Sequence, residues 1–339
     1  MKNKTYSAAV IGCGRIGLQF SLDCKKLYTS SHAEAYSKNK KIEKLFFCDK
    51  DQNKLDSANR TFKPFLCSTN VDDIFKNNKL DIVSISTPPN ERVELVKTCI
   101  KNNVKAIFIE KPIASSIPAA QEIIDICRKN NCLLAVNHFR RWDSFHKKLI
   151  EAISTVGKIQ SVNINYCRGI YNTGMHLFDL IRMLFGEVDS VYSLSSINDF
   201  DNGSGGAPEP TIRAYLKLKN GLPCYLNSVN GDNYRIFELD VIGSKGRVSL
   251  NNYNYFKLYK SSESKYNSEF LELDTDFYEK VTNQLYDYFD NAVNNIINSI
   301  ERKEKIKCTG EDGIKSLIIA RALQQSLLEE REIKIENDQ

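Results

Sequence analysis

Six short apolar runs in the first 136 residues constrain the fold of this 339-residue chain more than any other feature. Longer, helix-like stretches separate them, each with enough chain for a crossover connection. This alternation predicts a doubly wound parallel sheet of the α/β class, in which ligands bind outside the carboxyl ends of the strands. The runs are Tyr6–Ile11, Leu45–Cys48, Phe65–Cys67, Ile82–Ser86, Ala106–Ile109 and Leu133–Val136.

The pattern of the sequence changes after Asn137. Longer alternating segments follow, and the turn signals Asn220-Gly221 and Gly243–Gly246 separate them, as is typical of hairpins. We therefore expect residues 137–339 to form an α+β domain for substrate binding and oligomerisation, with a large, open-faced, mostly antiparallel sheet. The segment Asp201–Pro210, rich in Gly and Pro, predicts a loop. The expected strands include Thr211–Leu218, Cys224–Val229, Phe237–Ile242 and Arg247–Leu250.

Three helices are predicted in this second half. Tyr171–Gly186 has apolar residues at helical spacing and a glycine suited to a C-terminal cap. Apolar residues also recur at helical spacing from Val281 to Ile300. Thr309 with Asp312 is the pattern of an N-terminal cap, and a further helix is expected after it.

Composition excludes several classes of protein. The net charge of +5 is spread over 47 basic and 42 acidic residues without a dense basic block, so no nucleic-acid partner is expected. No apolar run approaches the roughly 20 residues that span a bilayer, so no membrane association is expected. The ten cysteines include no C-x-x-C pair and no clustered histidines, which argues against a metal site. The N-terminus carries no signal-peptide pattern, and the expected compartment is the cytoplasm.

The first apolar run ends in a glycine motif, AVIGCGRIG. In a G-x-G-x-x-G turn the first glycine permits the tight turn and the second lets a pyrophosphate approach the backbone. The third lets helix and strand pack closely, with the helix N-terminus facing the phosphates. Its position after the first strand predicts a Rossmann dinucleotide-binding domain over residues 1–136, although a glycine turn without a ligand is the alternative. The expected cofactor contacts here are Gly12, Gly14, Arg15, Ile16 and Gly17.

Asp49, at the end of the second run, favours NAD over NADP because a carboxylate accepts from ribose hydroxyls and repels a 2′-phosphate. Lys50 keeps NADP as the alternative, since a cation can bind that phosphate. Gly17 and Asp49 are 32 residues apart (49 − 17), against about 20 in the usual motif, so the first crossover carries an extension through Tyr28–Lys41.

The fourth run ends at Thr87 and Pro88, which turn the chain out of the sheet. We expect both residues to contact the dinucleotide, because they follow a strand at its carboxyl end. The alternative is that the prolines only stop the strand.

Glu110, Lys111 and Pro112 follow the fifth run, and they form the most specific of several family motifs in this chain. The chain resembles the glucose-fructose oxidoreductase and inositol dehydrogenase family (Gfo/Idh/MocA) over nearly its whole length. The resemblance implies an NAD(P)-dependent oxidoreductase that transfers a hydride between nicotinamide and a secondary alcohol or ketone of a sugar, polyol or nucleotide sugar. The segments that carry it are AVIGCGRIG, SISTPPNERVELVKTCIKNNVKAIFIEKPIA, HFRRW, GMHLFDLIRMLFGEV, FELDVIGSKGRVSL and CTGEDGIKSLIIARALQQS.

The resemblance also implies roles for single residues. Lys111 would contact the reacting hydroxyl or carbonyl, and partial desolvation at the sheet edge can lower a lysine pKa toward the range of a general acid or base. Glu110 would orient Lys111 or meet the nicotinamide ribose, and Pro112 would fix the backbone, often after a cis bond. His176 would be the second catalytic residue, although a lone histidine in such a pattern is ordinarily structural.

Two positions depart from the family pattern. Asn172 stands four residues before His176, where an aspartate is common, and an asparagine orients a hydroxyl without taking up a proton. This departure keeps open a second function, a catalytically weak dinucleotide-binding sensor or accessory protein. By this resemblance, Arg92 stands where many relatives have a histidine, and only an effect on packing near the cofactor is expected.

Further substrate contacts are expected from arginine forks, which suit phosphate or carboxylate, and from an aromatic ring that suits a sugar face. For Arg140, Arg141 and Trp142, the alternatives are surface salt bridges and a core anchor. The uncovered face of the second sheet predicts a homodimer or homotetramer. The residues are Arg140, Arg141, Trp142, Arg168 and Tyr171.

Overall fold

The computed structural model describes residues 4–23, 28–200, 209–266 and 269–335. Contacts divide the chain into two compact units. One unit comprises Met1–Asp143 with Tyr286–Lys315, and the other comprises Ser144–Leu285 with Ser316–Gln339. The first unit therefore extends beyond the predicted boundary at residue 136 and includes a segment from late in the chain.

The helices in the described ranges follow the predicted alternation in the first half of the chain. They are α1 (His32–Lys38), α2 (Gln52–Phe62), α3 (Val71–Phe75), α4 (Arg92–Lys101), α5 (Ile117–Lys129), α6 (Ser144–Thr155), α7 (Met175–Phe185), α8 (Tyr288–Ile300) and α9 (Gly310–Glu329). The division between the units falls within α9. None of these helices is both long enough and apolar enough to cross a membrane.

The first unit is built on a parallel sheet. Its strands are β1 (Tyr6–Ile11), β2 (Ile42–Cys48), β3 (Leu66–Ser68), β4 (Ile82–Ile85), β5 (Ala106–Ile109) and β6 (Leu133–Val136). They lie in the order β3-β2-β1-β4-β5-β6, and every neighbouring pair is parallel. The order reverses between β1 and β4, so the carboxyl ends of these strands mark the place where such sheets bind ligands. The prediction of a Rossmann sheet is confirmed.

The helix expected after the glycine motif is interrupted. One turn forms, in which Leu18 N–H donates to the Gly14 carbonyl at 2.9 Å. The chain then leaves this helix, and α1 begins only at His32. The amides of His32 and Ala33 donate to the carbonyls of Ile16 and Gly17, at 3.1 and 3.0 Å. An uninterrupted α-helix would offer those carbonyls to residues 20 and 21, so residues 20–31 are an insertion of 12 residues (32 − 20).

The helix α8 joins the first unit because its side chains fill that unit's core. It packs against α1 and β6, and Phe289 is fully buried with its ring 5.1 Å from the His32 ring. Asn295 accepts a hydrogen bond from the Trp142 indole at 3.0 Å. A sequence boundary placed after the last parallel strand misses this return of the chain.

The second unit carries a mixed sheet. Its strands are β7 (Ile159–Tyr166), β8 (Val188–Phe200), β9 (Glu209–Leu218), β10 (Pro223–Ser228), β11 (Phe237–Gly243), β12 (Gly246–Asn251), β13 (Tyr255–Glu263), β14 (Leu271–Thr282) and β15 (Ile333–Lys334). Their order is β14-β13-β12-β11-β7-β10-β9-β8-β15. Only the β7–β10 pair is parallel among these neighbours, so the predicted large, mostly antiparallel sheet is confirmed.

Burial alternates along these strands. In β9, Ile212 and Ala214 are buried while Arg213 between them is exposed, so one face of the sheet is apolar. Part of α9 lies against that face, where the Ser193 hydroxyl donates to the Leu323 carbonyl at 2.8 Å. The opposite face presents Tyr192 and Tyr225, which are 38% and 41% exposed.

Some local predictions hold and others are wrong. The cap before α9 is confirmed, since Asp312 N–H donates to Thr309 Oγ1 at 3.4 Å and Thr309 N–H donates to Asp312 Oδ2 at 3.1 Å. The predicted helix from Val281 is wrong at its start, because Val281 pairs with Phe256 in the β13–β14 ladder. Of the predicted loop at 201–210, residues 201–208 lie outside the described ranges, and the last two residues begin β9.

Candidate active site

The glycine turn after β1 has the shape that a dinucleotide requires. Gly12 has φ +94°, and a Cβ there would lie 2.8 Å from the Ser86 carbonyl carbon and the Thr87 nitrogen. A Cβ on Gly17 would overlap the Gly12 carbonyl. At Gly14, by contrast, an added Cβ would meet no atom within 4 Å, so this position borders open space.

The neighbouring turn after β4 presents a hydrogen-bonding atom that its surroundings do not use. Thr87 Oγ1, at the end of β4, is buried and finds no hydrogen-bond partner among the described residues. The open position at Gly14 and this hydroxyl are features that a bound pyrophosphate and sugar would fill. The residues present therefore fit the predicted dinucleotide.

Asp49 connects the end of β2 to the glycine turn. Its Oδ2 accepts from Cys13 N–H at 2.6 Å, and its Oδ1 accepts from Asp51 N–H at 2.9 Å. A carboxylate has about four acceptor positions, so it can accept ribose hydroxyls in addition. Lys50, which kept NADP as the alternative cofactor, is highly exposed, and its Nζ lies 2.7 Å from Glu91 Oε1.

Glu110, at the end of β5, is held by a buried hydrogen-bonded chain. Its Oε1 meets His32 Nε2 at 2.9 Å and accepts from Asn137 Nδ2 at 2.5 Å. The other ring nitrogen of His32 meets Ser84 Oγ at 2.9 Å, and Ser84 meets the Tyr36 hydroxyl at 2.8 Å. The chain links the resumed helix α1 to the strands β4 and β5. Sequence reasoning missed His32, because the insertion separates it from the glycine motif.

The charge of Glu110 is stabilised by these partners. Burial opposes ionisation, but the hydrogen bond and charge of His32, the Asn137 amide and the Arg92 charge together lower the pKa of Glu110 below its usual range. Glu110 therefore remains an anion next to Lys111 at neutral pH.

Lys111 is the second residue after β5 and is partly exposed. The Lys111–Pro112 peptide bond is cis, as the family resemblance implied. The carbonyls on both sides of Lys111, those of Glu110 and Pro112, accept hydrogen bonds from Arg92. Lys111 thus lies on the same carboxyl edge of the sheet as the turn after β4.

In the second unit, the predicted helix from Tyr171 begins differently. Gly169–Gly174 forms a π-helical turn, and α-helical geometry starts only at Met175. Asn172 lies in the π-helical turn, and His176 is the second residue of α7 and partly exposed. At the other end, Gly186 N–H donates to the Arg182 carbonyl at 3.1 Å, which confirms the predicted cap.

Glu209, the first residue of β9, fixes this turn. Its Oε2 accepts from the backbone N–H groups of Tyr171 at 2.7 Å and Asn172 at 2.9 Å. A Cβ on Gly169 would overlap the Glu209 carboxyl group. Sequence reasoning missed Glu209, which lies near the end of the predicted loop at 201–210, and no local motif marks it.

Tyr171 and Arg168 flank the same turn. The Tyr171 hydroxyl donates to Gln324, and Arg321 lies 5.3 Å from the centre of its ring. Burial raises the pKa of Tyr171, which Arg321 opposes. Arg168 adopts left-handed backbone geometry with φ +71°.

The predicted substrate contacts Arg140, Arg141 and Trp142, which lie beyond the end of β6, differ in their surroundings. Trp142 is 2% exposed and donates to Asn295, so it is the core anchor and presents no face for a sugar ring. Arg141 pairs with Asp312 at 3.1 Å, as the salt-bridge alternative predicts. Arg140 is also 2% exposed, and its guanidinium lies 4.5 Å from the centre of the Phe139 ring.

A separate surface cavity of about 690 Å³ lies in the first unit, away from these groups. Leu133 and Leu134, at the amino end of β6, form part of its lining together with Arg128 and Ile306. None of the predicted site residues lines it. The chemistry expected from the sequence is instead at the carboxyl ends of β1, β2, β4 and β5.

Comparison with known proteins agrees with this geometry. Residues 6–138 match the family profile described as "Oxidoreductase family, NAD-binding Rossmann fold". Residues 169–335 match the profile of its C-terminal alpha/beta domain. Myo-inositol 2-dehydrogenase of Thermotoga maritima is 28% identical over 291 residues, which cover 78% of this chain and 82% of that protein.

Solved structures share the fold at lower identity. A putative NADPH-dependent oxidoreductase from Desulfitobacterium hafniense matches with a TM-score of 0.79 at 18% identity, covering 99% of both chains. The WlbA dehydrogenase from Bordetella pertussis, in complex with NADH and UDP-GlcNAcA, matches with a TM-score of 0.76 at 18% identity. That match covers 99% of this chain and 100% of the other. With both domain profiles matched, the chain belongs to the Gfo/Idh/MocA family and is an NAD-dependent oxidoreductase.

Proposed function

We propose that the protein transfers a hydride between NAD and a secondary alcohol or ketone of a sugar, cyclic polyol or nucleotide sugar, with Lys111 and His176 in proton transfer. One observation carries the proposal. The Glu110-Lys111-Pro112 segment follows β5 on the carboxyl edge of a sheet whose β1 ends in a turn shaped for a dinucleotide.

The residues divide the work as follows. Bound NAD supplies the hydride acceptor or donor at its nicotinamide ring. Lys111 takes the proton of the substrate hydroxyl in oxidation and returns it in reduction. His176 hydrogen-bonds the reacting oxygen, and Asn172 orients a hydroxyl on the substrate.

The anchored surroundings support these roles. Glu110 is tied to His32 and Asn137, so the residue next to Lys111 has little freedom. Glu209 holds the amide of Asn172, four residues before His176. Positioning of this kind is a large part of what an enzyme contributes to a two-substrate reaction.

The substrate class rests on the relatives. The Thermotoga maritima relative is named a myo-inositol 2-dehydrogenase, and the WlbA structure contains UDP-GlcNAcA. We therefore place cyclic polyols first and nucleotide sugars second. Arg140 and Arg168 remain proposed substrate contacts, whereas Trp142 and Arg141 are occupied within the first unit.

The test is a turnover assay that follows nicotinamide absorbance with NAD⁺ and NADP⁺ over myo-inositol, other cyclic polyols, hexoses and UDP-sugars. Lys111→Ala should lower kcat by about 10²–10⁴-fold, the usual contribution of a proton-transfer group. Lys79→Ala, an exposed lysine that precedes β4 at the opposite end of the sheet, is the matched control and should leave kcat unchanged. Equal activity in the two variants would remove Lys111 from the mechanism.

The same assay separates the second function. Tight NAD binding without turnover on the whole panel would favour the sensor, which Asn172 keeps open. Turnover that Asn172→Asp raises would instead show that the asparagine reduces an existing activity. Turnover that Asn172→Asp leaves unchanged would show that this position tolerates either residue.

We also propose a homodimer or homotetramer formed through the uncovered face of the second sheet. Leu194, Tyr192 and Tyr225 on that face are exposed, and Tyr225 lies against Tyr215 with ring centres 5.6 Å apart. Apolar and aromatic groups in such a patch are typical of an interface. Light scattering should give at least twice the mass of 38.7 kDa, and Leu194→Glu should shift it to the monomer. A monomeric wild-type protein would contradict this.

A further inference from the structure

Arg92 occupies an unusual place in the first unit. It is the first residue of α4, directly after the turn that follows β4, and it is only 3% exposed. Its Nε and Nη2 donate to the Thr87 carbonyl at 3.0 and 2.7 Å. Its Nη1 donates to the carbonyls of Glu110 and Pro112. One guanidinium therefore joins three backbone carbonyls from two segments.

These carbonyls have a meaning for the chemistry. Those of Glu110 and Pro112 belong to the residues on either side of Lys111, so both neighbours of Lys111 are tied to one group. The third belongs to Thr87, which is expected to meet the dinucleotide. Arg92 thereby fixes the backbone that carries Lys111 to the backbone that borders the cofactor.

Only an arginine can make this set of bonds. The guanidinium is a rigid plane with five N–H donors, whereas an ammonium is a point charge and an imidazole has two ring nitrogens. Burial lowers the pKa of Arg92 to about 10, opposed by the charge of Glu110. The group therefore stays protonated at neutral pH and keeps all its donors.

We propose that Arg92 is a positioning residue that sets the distance between Lys111 and the nicotinamide through the carbonyls of Thr87, Glu110 and Pro112. The inference rests on the proposed role of Lys111. It also replaces the expectation that Arg92 affects only packing.

The experiment compares Arg92→Lys, Arg92→Gln and Arg92→His with wild type. Arg60→Gln, on the exposed side of α2, is the control. The first measurement compares the change in kcat with the change in the NAD⁺ dissociation constant. The kcat is measured with a substrate of the panel that turns over, and the dissociation constant is measured by calorimetry. A displacement of about 1 Å can cost about 10²-fold in rate. We expect kcat to fall at least about 10-fold further than NAD⁺ affinity in the three variants, and neither to change in the control.

The second measurement needs no substrate. Trace acetylation by acetic anhydride, read by mass spectrometry, reports the reactivity of each lysine with and without saturating NAD⁺. In wild type we expect NAD⁺ to protect Lys111 and to leave Lys79 unaffected. In Arg92→Gln this protection should be lost at saturating NAD⁺.

The outcomes separate this inference from the proposed function. If Lys111→Ala keeps full activity, or NAD⁺ does not protect Lys111 in wild type, the proposed role of Lys111 fails. If Lys111→Ala is inactive while the Arg92 variants keep wild-type kcat and protection, the positioning role is overturned. Variants that only melt earlier, or that do not fold at all, would assign Arg92 a structural role and overturn it equally.

Discussion

The contact between Gly169 and Glu209 allows a quantitative test of how the second unit holds its predicted site residues. The Glu209 carboxylate accepts two backbone N–H groups, those of Tyr171 and Asn172. A hydrogen bond to a charged group contributes about 1.5 kcal/mol at the lower end. Glu209→Ala should therefore lower the free energy of unfolding by about 3 kcal/mol.

Gly169→Ala should cost more than its backbone conformation suggests. At φ +78° a side chain costs about 1 kcal/mol. The new Cβ would also overlap the Glu209 carboxyl group and displace it from its two amides. The expected loss is therefore about 4 kcal/mol, of which about 3 kcal/mol is the loss of the Glu209 bonds.

The double variant reveals the coupling. Once Glu209 is an alanine, the Gly169→Ala change costs only its backbone term, so the pair should lose about 4 kcal/mol where independent effects would give about 7 kcal/mol. Urea unfolding followed by far-UV circular dichroism measures all four proteins. Additivity within about 0.5 kcal/mol would refute the contact as the anchor of this turn. Glu209→Gln keeps an acceptor oxygen for both amides but loses the charge, and it should lose about half as much as Glu209→Ala because a neutral hydrogen bond is about half as strong.

Further predictions concern the first unit. Gly14→Ala should keep the wild-type melting temperature and lose at least about 10-fold in NAD⁺ affinity by calorimetry, because its Cβ enters open space beside the turn; Gly17→Ala, whose Cβ overlaps the backbone, should melt earlier. Asp49→Asn should narrow the preference for NAD⁺ over NADP⁺ in the same titration, and an unchanged ratio would remove Asp49 from cofactor selection. Burial alone would raise the pKa of Glu110, but the His32 hydrogen bond lowers it below 4.5. The stabilisation that this hydrogen bond gives the fold is therefore complete above pH 4.5 and is lost as the pH falls through the lowered pKa. Urea unfolding should show His32→Gln least stable relative to wild type above pH 4.5, with the difference shrinking below it; a constant difference would contradict the linkage.

The parallel sheet was predictable from the sequence because its signals are local. Ala106–Ile109 and Leu133–Val136 were predicted with the observed bounds, since a strand buried on both faces reads as one continuous apolar run. The candidate site residues Asp49, Thr87 and Lys111 were predicted to lie at the carboxyl edge of the sheet for the same reason. A strand end and its next residue are neighbours in the chain.

The insertion after the glycine motif shows where local signals stop. The distance from Gly17 to Asp49 exceeded the usual spacing, and the sequence placed the extension at Tyr28–Lys41, which overlaps the observed insertion only at residues 28–31. The hydrogen bonds from His32 and Ala33 back to Ile16 and Gly17 identify residues 20–31 as the inserted segment. Without those 12 residues the spacing is 20 (32 − 12), the usual value of about 20. The local sequence pattern does not show which amides continue the helix, because that pairing depends on the folded structure.

The anchors of the site lie beyond local patterns for the same reason. Glu209 is 37 residues from Asn172, and it bonds to backbone amides, whose identity no side-chain motif records. This bears on the departure at position 172. An asparagine there removes one carboxylate from the expected helix face, yet the Glu209 carboxylate lies within 2.9 Å of the same residue's amide nitrogen. The turn before His176 therefore keeps a carboxylate, contributed by β9, and position 172 read alone understates the negative charge near it.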